Sequence, residues 1–135
     1  DGQYRYTSPS CERITGRCPA EFVADSELLE RMVHPDDVSR FRAHRCAALA
    51  GQQSTDLEFR IVRVDGEVRW IGHVCQPVHD ECGGFLGVRG SNRDITGRKL
   101  AEMRLTMLNR CLLECGADPD RNIDSFVRFL GEHLQ

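Results

Sequence analysis

Apolar residues change their spacing twice along the chain, and the changes divide it into three stretches. Up to residue 51 they recur every three to four positions, which is the period of an amphipathic helix. Between residues 54 and 91 they alternate with polar residues, which is the period of a strand. From Thr96 the helical period returns. This order of elements predicts an α+β fold.

Short elements are predicted at the front of the chain. Tyr4 and Tyr6 alternate with polar residues, which favours a strand over residues 3–8. Pro19 suits the first turn of a helix, and an amphipathic helix follows in "DSELLERMV". We therefore expect two small helices ahead of the longer one described next.

A longer helix is predicted between Pro35 and Gly51. The carboxylates of Asp36 and Asp37 favour its positive N-terminal end, and Gly51 stops it. His34 precedes the proline and is expected to tie this turn. The apolar stripe of the helix is made of Val38, Phe41 and Leu49.

The dipeptide Asp65-Gly66 predicts a β-hairpin in "STDLEFRIVRVDGEVRWIGHVCQPV". We expect a loop with an even number of residues, which places three pairs of residues opposite each other: Leu57 with Val74, Phe59 with Gly72, and Ile61 with Trp70. These side chains would share one largely apolar face. The opposite face would be mixed and would carry Glu58, Arg60, Val62, Arg69, Ile71 and His73.

A third strand in "FLGVRGS" precedes the segment Asp94-Ile95-Thr96, where a new helix is predicted to begin. Asp94 can cap this helix, with Arg93 or Arg98 as a partner for its carboxylate. The helix should run to Cys115 and present a coiled-coil seam of barely two heptads. The leucines of that seam are Leu105, Leu108 and Leu112. A second helix is predicted after Pro119.

Composition excludes several classes of protein. The 135 residues are 40% apolar and 29% charged, with a net charge of −3, whereas nucleic-acid-binding surfaces are basic. No apolar run is long enough to span a bilayer, so we expect no membrane contact by this segment. We also expect a cytoplasmic location, and a membrane anchor elsewhere in a longer parent protein is left open. The five histidines are scattered and no catalytic motif is present, so we expect no enzymatic activity.

The seven cysteines do not form a recognisable framework, because their number is odd and no C-x-x-C pair occurs. We expect reduced and mostly packed thiols. Cys111 and Cys115 would lie one helical turn apart and are a conceivable half of a metal site, but no complete metal site is predicted. A thiol-based redox sensor is an open alternative.

Several motifs together resemble a PAS domain that ends in a PAC motif, as found in bacterial sensor proteins. They are "RYTSPSCERITG", "HPDD", "LEFRIVRVDGEVRW" and "QPVHDECGGFLGVRGSNRDITGRKLAE". The resemblance implies an antiparallel sheet of five strands with helices on one face. The first of those strands would precede Asp1. We expect a PAS/PAC domain over 1–96, a signalling helix over 97–115, and over 116–135 a linker or the start of a GAF-like domain.

The resemblance implies a sensory module that responds to a small ligand or a partner. It would signal through Asp94, Ile95 and Thr96 to an output domain of the same chain, such as a histidine kinase or a diguanylate cyclase, in a homodimer. The alternative is a ligand-free dimerisation or docking module. The walls of a ligand pocket would be Leu29, Met32, Phe41, Leu57, Phe59, Ile61, Trp70 and Val74, although a filled core is the simpler interpretation.

The resemblance also bears on cofactors. His44 lies on the helix that carries the haem-ligating histidine in oxygen-sensing members of the family. Its polar neighbours in "RAHRC" suggest a solvated face, so we do not expect haem. The cysteine-containing helix motif of the flavin-binding members has no match, so we do not expect flavin either. The ligand itself is unknown.

Overall fold

A computed structural model describes residues 2–52 and 56–114, together with positions 123, 127, 128 and 131; for residues 112–114 it describes the backbone alone. The chain divides into two compact units, Asp1–Thr96 and Gly97–Gln135. The helix predicted over 116–135 falls largely outside the described residues, and the assignment of that segment to a linker or a further domain stays a prediction.

The first unit is an α+β structure in which short helices precede an antiparallel sheet of three strands in the order β1-β2-β3. The α+β prediction is confirmed. Residues 3–8, predicted as a strand, form none, and a helix that was not predicted follows them. The helices are α1 (Ser10–Thr15), α2 (Pro19–Ala24), α3 (Leu28–Met32), a 3₁₀ turn (Pro35–Asp37) and α4 (Val38–Leu49), and the strands are β1 (Leu57–Val62), β2 (Val68–His79) and β3 (Phe85–Asp94).

The β1–β2 hairpin forms as predicted, but its register differs by one residue. Arg63 N donates to Glu67 O at 2.9 Å and Gly66 N donates to Arg63 O at 3.0 Å, which leaves three residues in the loop. Gly66 adopts a φ of 83°, the left-handed conformation that such a three-residue loop requires. Leu57 therefore pairs with His73, Phe59 with Ile71, and Ile61 with Arg69.

Because the loop has an odd number of residues, every side chain of β2 lies on the face of the sheet opposite to the predicted one. Ile71 joins Phe59 and Ile61 in the core, and each of these three side chains is at most 1% exposed. Trp70 moves to the outer face, so the predicted apolar face was wrong for β2 and right for β1. The core cluster contains Ile14, Phe22, Leu29, Met32, Val33, Phe41, Leu57, Phe59, Ile61 and Ile71.

A buried carboxylate fastens the start of α4 to β1. Asp37 is 7% exposed, and its Oδ2 accepts hydrogen bonds at 2.9 Å from both the backbone N and the Nε of Arg60. Arg60 Nη2 donates to Asp37 Oδ1 at 3.1 Å. On the same turn, Asp36 N donates a hydrogen bond to Nδ1 of His34, as expected for a residue that ties the turn.

In the second unit, α5 (Thr96–Glu114) continues from the end of the first. Its start at Thr96 agrees with the prediction. An Arg98–Glu102 ion pair at 2.9 Å supports its first turns. Leu105 is 60% exposed and Leu108 is 42% exposed, whereas the side chain of Leu112 lies outside the described part. None of the helices described is both long enough and apolar enough to cross a membrane.

Candidate functional site

Six of the eight residues predicted to wall a pocket come together between the helices and the inner face of the sheet. They are Leu29, Met32, Phe41, Leu57, Phe59 and Ile61. Phe41 of α4 packs on Phe59 of β1 with ring centroids 5.0 Å apart. Burial of these side chains supplies much of the hydrophobic stabilisation of the first unit, at about 1.5–3 kcal/mol for each large apolar side chain.

The other two predicted wall residues, Trp70 and Val74, lie on the outer face of β2. Val74 is 40% exposed, and Trp70 is half-buried with the guanidinium of Arg60 5.4 Å from its ring centroid. Their assignment to the inner wall was wrong, because the hairpin loop has an odd number of residues. Ile71 and His73 take their places beside β1.

The outer face of the sheet meets the start of α5 at Asp94, Ile95 and Thr96. Ile95 N donates to Trp70 O at 2.9 Å, and Trp70 N donates to Thr96 Oγ1 at 3.0 Å. Ile95 is 9% exposed, and a Cβ added at Gly72 would lie 3.3 Å from its Cγ2. The missing side chain at Gly72 therefore allows Ile95 to lie directly on β2.

Asp94 connects the helix start to β2 through both carboxylate oxygens. Oδ1 accepts from Thr96 N at 2.9 Å, and Oδ2 accepts from Arg69 Nη1 at 2.9 Å. Burial would raise the pKa of Asp94, but hydrogen bonds from Thr96 and the Arg69 guanidinium outweigh it and hold the pKa below its usual value. Asp94 caps the helix start as predicted, and the arginine bonded to it is Arg69, whereas the prediction was Arg93 or Arg98.

His44 lies against the sheet, contrary to the prediction of a solvated face. On α4 the buried residues are Phe41 and Ala48, and His44 lies between them, half-buried, while Leu49 is 43% exposed. His44 Nε2 is 3.1 Å from Cys75 Sγ, and its ring centroid is 5.0 Å from that of His73. The polar neighbours of His44 in the sequence had concealed this orientation.

A polar cluster of His44, His73 and Cys75 therefore lies at the edge of the core. Cys75 is 5% exposed. Burial lowers the pKa of His44, and His73 lowers it further; burial also lowers the pKa of His73, against the opposing effects of Asn92 and Asp56. Apart from the alternation of His73 and Cys75 on β2, nothing in the sequence pointed to this cluster, because His44 is separated from them by about thirty residues.

The sequence profile of a family described as the PAS fold matches residues 4–92, which is well over half of the chain. The chain belongs to the PAS-fold family. The match contains all the helices and strands of the first unit, apart from the last two residues of β3. The resemblance drawn from the sequence motifs is confirmed.

Two similar proteins are named as sensory proteins. The PAS chain is 28% identical over 120 residues to a methyl sulfide methyltransferase-associated sensor of Methanosarcina acetivorans, a match that covers 87% of the chain and 12% of that relative. It is also similar to the crystal structure of a sensory box histidine kinase/response regulator from Burkholderia thailandensis. That match has 28% identity and a TM-score of 0.61, and it covers 82% of each chain.

A third similar structure is the N-terminal domain of a diguanylate cyclase with a PAS/PAC sensor from Marinobacter aquaeolei. Its identity is 22% and its TM-score is 0.58, with 72% of this chain and 88% of that one covered, so it supports the fold alone. The PAS chain thus spans about an eighth of the curated sensor it matches. It is a PAS sensor module of the kind found in multidomain signalling proteins.

Proposed function

We propose that this PAS domain senses a small ligand or a partner and passes the signal through Asp94–Thr96 and α5 to an output domain of the same chain. It would act without catalysing a reaction, in the cytoplasm and as a homodimer. The observation that carries the proposal is the connection of the first residues of α5 to β2, through Trp70 and Arg69. β2 also lines the core at Ile71, so one strand borders both the interior and the helix start.

The proposed signal is a change in packing at the inner face that displaces β2. Such a displacement alters the hydrogen bonds of Trp70 and Arg69 to the helix start. A ligand can shift this equilibrium only through a difference in its affinity for the two arrangements. We expect that difference in affinity to arise at core residues between α4 and the sheet, namely Phe41, Phe59 and Ile71.

Signal transmission is tested at the junction between the sheet and α5, which is formed by Asp94–Thr96. The contacts of Asp94 and Thr96 are removed, and dimerisation of the 135-residue chain is followed by analytical ultracentrifugation. We expect Thr96→Val and Asp94→Ala to change the dimer dissociation constant and to speed hydrogen exchange at the start of α5. Asp80→Ala is the matched control, because Asp80 Oδ1 also accepts backbone N–H groups, from Cys82 and Gly84, in the β2–β3 turn. Unchanged exchange and dimerisation in both junction variants would show that Asp94–Thr96 only terminates the sheet.

The homodimer is expected to form along the leucine seam of α5. Exposure of Leu105 and Leu108 in the single chain supports this expectation, because large apolar side chains at heptad spacing favour a partner helix. Leu108→Glu should therefore weaken dimerisation. Met103→Glu is the matched control, since Met103 is 48% exposed on the opposite side of the helix. Equal effects of the two substitutions would contradict the seam.

A ligand-free dimerisation module is the second candidate, and the same exposed leucines favour it. Native mass spectrometry of the freshly purified chain separates the two candidates. A retained small molecule, lost when Phe41 or Phe59 is replaced by Trp to fill the interior, supports ligand sensing. A chain that remains empty across metabolite mixtures but still dimerises supports the second candidate.

A further inference from the structure

Three metal-binding side chains converge where α4 crosses β2, although they are far apart in the sequence. One ligand atom from each of His44, His73 and Cys75 lies within 4.8 Å of the others. Imidazole nitrogen and thiolate sulfur are the ligands that zinc binds most often in proteins. Within the described part of the chain, this is the group of side chains whose geometry fits a metal ion.

The distances are close to those of a four-coordinate zinc site. With Zn–N at about 2.0–2.1 Å and Zn–S at about 2.3 Å, neighbouring ligand atoms in a tetrahedron lie about 3.3–3.6 Å apart. The separation of His44 Nε2 and Cys75 Sγ is 3.1 Å, so it needs to open slightly. The widest allowed separation, 4.8 Å, needs to close by about 1.5 Å at most.

Asn92 determines which ring nitrogen of His73 is available to a metal ion. His73 Nδ1 lies 2.6 Å from Asn92 Oδ1, and because an amide oxygen only accepts, Nδ1 carries the proton. Nε2 is then the nitrogen with a lone pair available for a metal. Histidines that bind a metal through one ring nitrogen are commonly oriented by a hydrogen bond from the other, which here is Nδ1. Asn92 pairs directly with His73 across β2 and β3, so the sheet itself holds this contact.

Gly90 makes room for the imidazole ring of His73. A Cβ at this position would lie 3.2 Å from His73 Cε1, closer than most such contacts. Gly90 pairs with Cys75 on the neighbouring strand, so the space lies directly beside the thiol. The ligands are also carried by a helix and by a strand that is paired on both sides at His73, so the backbone that carries them is firmly held.

We propose that His44, His73 and Cys75 form a zinc-type metal site in which water or an external ligand takes the fourth position. On binding, the Cys75 thiol loses its proton to the buffer and its sulfur forms a bond to the metal, while the two imidazoles bind as neutral ligands. The site goes beyond the sensory role proposed above and does not depend on it. The ordinary alternative is a set of hydrogen-bonded polar side chains at the edge of the core.

The test is metal binding by the reduced 135-residue chain. After exposure to Zn²⁺ and desalting, we expect about one zinc ion per chain by elemental mass spectrometry, as for a single site. Titration with Co²⁺ should produce a thiolate-to-cobalt charge-transfer band, which reports sulfur ligation directly. A chain that takes up no metal, or a cobalt complex without that band, would overturn the proposal.

Substitutions assign the ligands. His44→Gln, His73→Gln and Cys75→Ser should each abolish stoichiometric binding, and Cys75→Ser should abolish the charge-transfer band. Asn92→Ala should weaken binding about 10–100-fold while leaving the band in place at saturating Co²⁺. Circular dichroism of each variant checks folding, and His44→Gln keeps the test valid if a β2 variant fails to fold, because α4 carries His44 at its half-exposed surface.

Two controls replace the same residue types outside the cluster. Cys46→Ser removes an exposed thiol two residues from His44, and His79→Gln removes an exposed histidine of β2. Neither should change binding. Loss of the charge-transfer band in Cys111→Ser together with its survival in Cys75→Ser would place the metal on the C-terminal helix, and the proposal would be wrong.

Discussion

Asp37 and Asp94 both lie at the start of a helix and both accept hydrogen bonds from an arginine of the sheet, yet they are held very differently. Asp37 is reached by the backbone N, Nε and Nη2 of Arg60. Asp94 is reached by a single nitrogen of Arg69, whose Nε and Nη2 both donate to Glu67. The side chain of Asp37 is 10% exposed and that of Asp94 is 23% exposed.

The difference follows from what each helix does. α4 covers the core through Phe41, so a displacement of its start would expose apolar surface. The start of α5 is held by a few separate hydrogen bonds, from Thr96 N and Arg69 to Asp94 and from Trp70 N to Thr96. Asp37 is therefore the more strongly held of the two carboxylates, and Asp94 the more weakly held.

The largest effect is expected for Asp37→Ala. The substitution removes the partner of the backbone N and of Nε of Arg60 and one of the two partners of Nη2, at a buried carboxylate position. Loss of hydrogen bonds to a charged group of this kind costs about 2–3 kcal/mol of unfolding free energy. Urea denaturation of the whole chain measures it. Asp36→Ala is the control, because Asp36 is exposed and accepts only one hydrogen bond from Arg60; equal losses would contradict the contrast.

Asp94→Ala should cost less, about 1 kcal/mol, within the range of a lost helix cap. Its local effect should be the greater one, with faster hydrogen exchange in the first turn of α5 and unchanged exchange in α4. Asp37→Ala should produce the reverse pattern. If Asp94→Ala destabilises the chain more than Asp37→Ala does, the start of α5 is more strongly attached than the start of α4, and the comparison is wrong.

Acidification should weaken the hydrogen bonds to both Asp37 and Asp94. The loss should be smaller than in the alanine variants, because a protonated carboxyl has no charge but can still accept hydrogen bonds. Hydrogen bonding by the Arg60 side chain lowers the pKa of Asp37, and that of Asp94 is also lowered. A lowered pKa in the folded state contributes stability above the unfolded value of about 3.9, and the contribution disappears as the pH falls through the folded value.

Unfolding free energy should therefore decline below about pH 4, and the decline should be shallower in Asp37→Asn than in the parent chain. Urea denaturation at a series of pH values measures the slope. Asp80→Asn is the comparison variant for a carboxylate in an exposed turn. Identical slopes in the parent chain and Asp37→Asn would show that the Asp37–Arg60 pair does not contribute.

The smallest effect on global stability is expected for Gly72→Ala, within about 1 kcal/mol. The added methyl group would press on Ile95 at 3.3 Å, whereas the loss of backbone freedom in the unfolded chain acts in the opposite direction. NMR should show shifts at Ile95 and Thr96 and none at Asp37. Shifts confined to β1 would show that Ile95 does not depend on the space at Gly72.

Local signals in the sequence were sufficient for several elements. Pro19, Pro35 and Thr96 each mark a helix start that the structure confirms, since proline geometry and a side-chain cap act within a few residues. The hairpin at Asp65-Gly66 was also predicted. The ordered motifs from "RYTSPSCERITG" to "NRDITG" were enough to identify the family, because they record spacing along the whole domain.

Contacts across the sheet could not be predicted in this way. One residue more or fewer in the β1–β2 loop exchanges the two faces of β2, so the places of Trp70 and Ile71 depended on a turn geometry that Asp65-Gly66 alone does not specify. The pairings of Asp37 with Arg60 and of Asp94 with Arg69 follow from that register.

The sequence by itself therefore determined most of the helices and strands of the described residues, where the helix after the sheet begins, and which family the chain belongs to. Tertiary structure alone decided which face each β2 side chain occupies and that His44 meets His73 and Cys75. The physical reason is the range of the interactions: caps and turns act between near neighbours, whereas α4 is brought onto β2 by burial of an apolar core that no single segment contains.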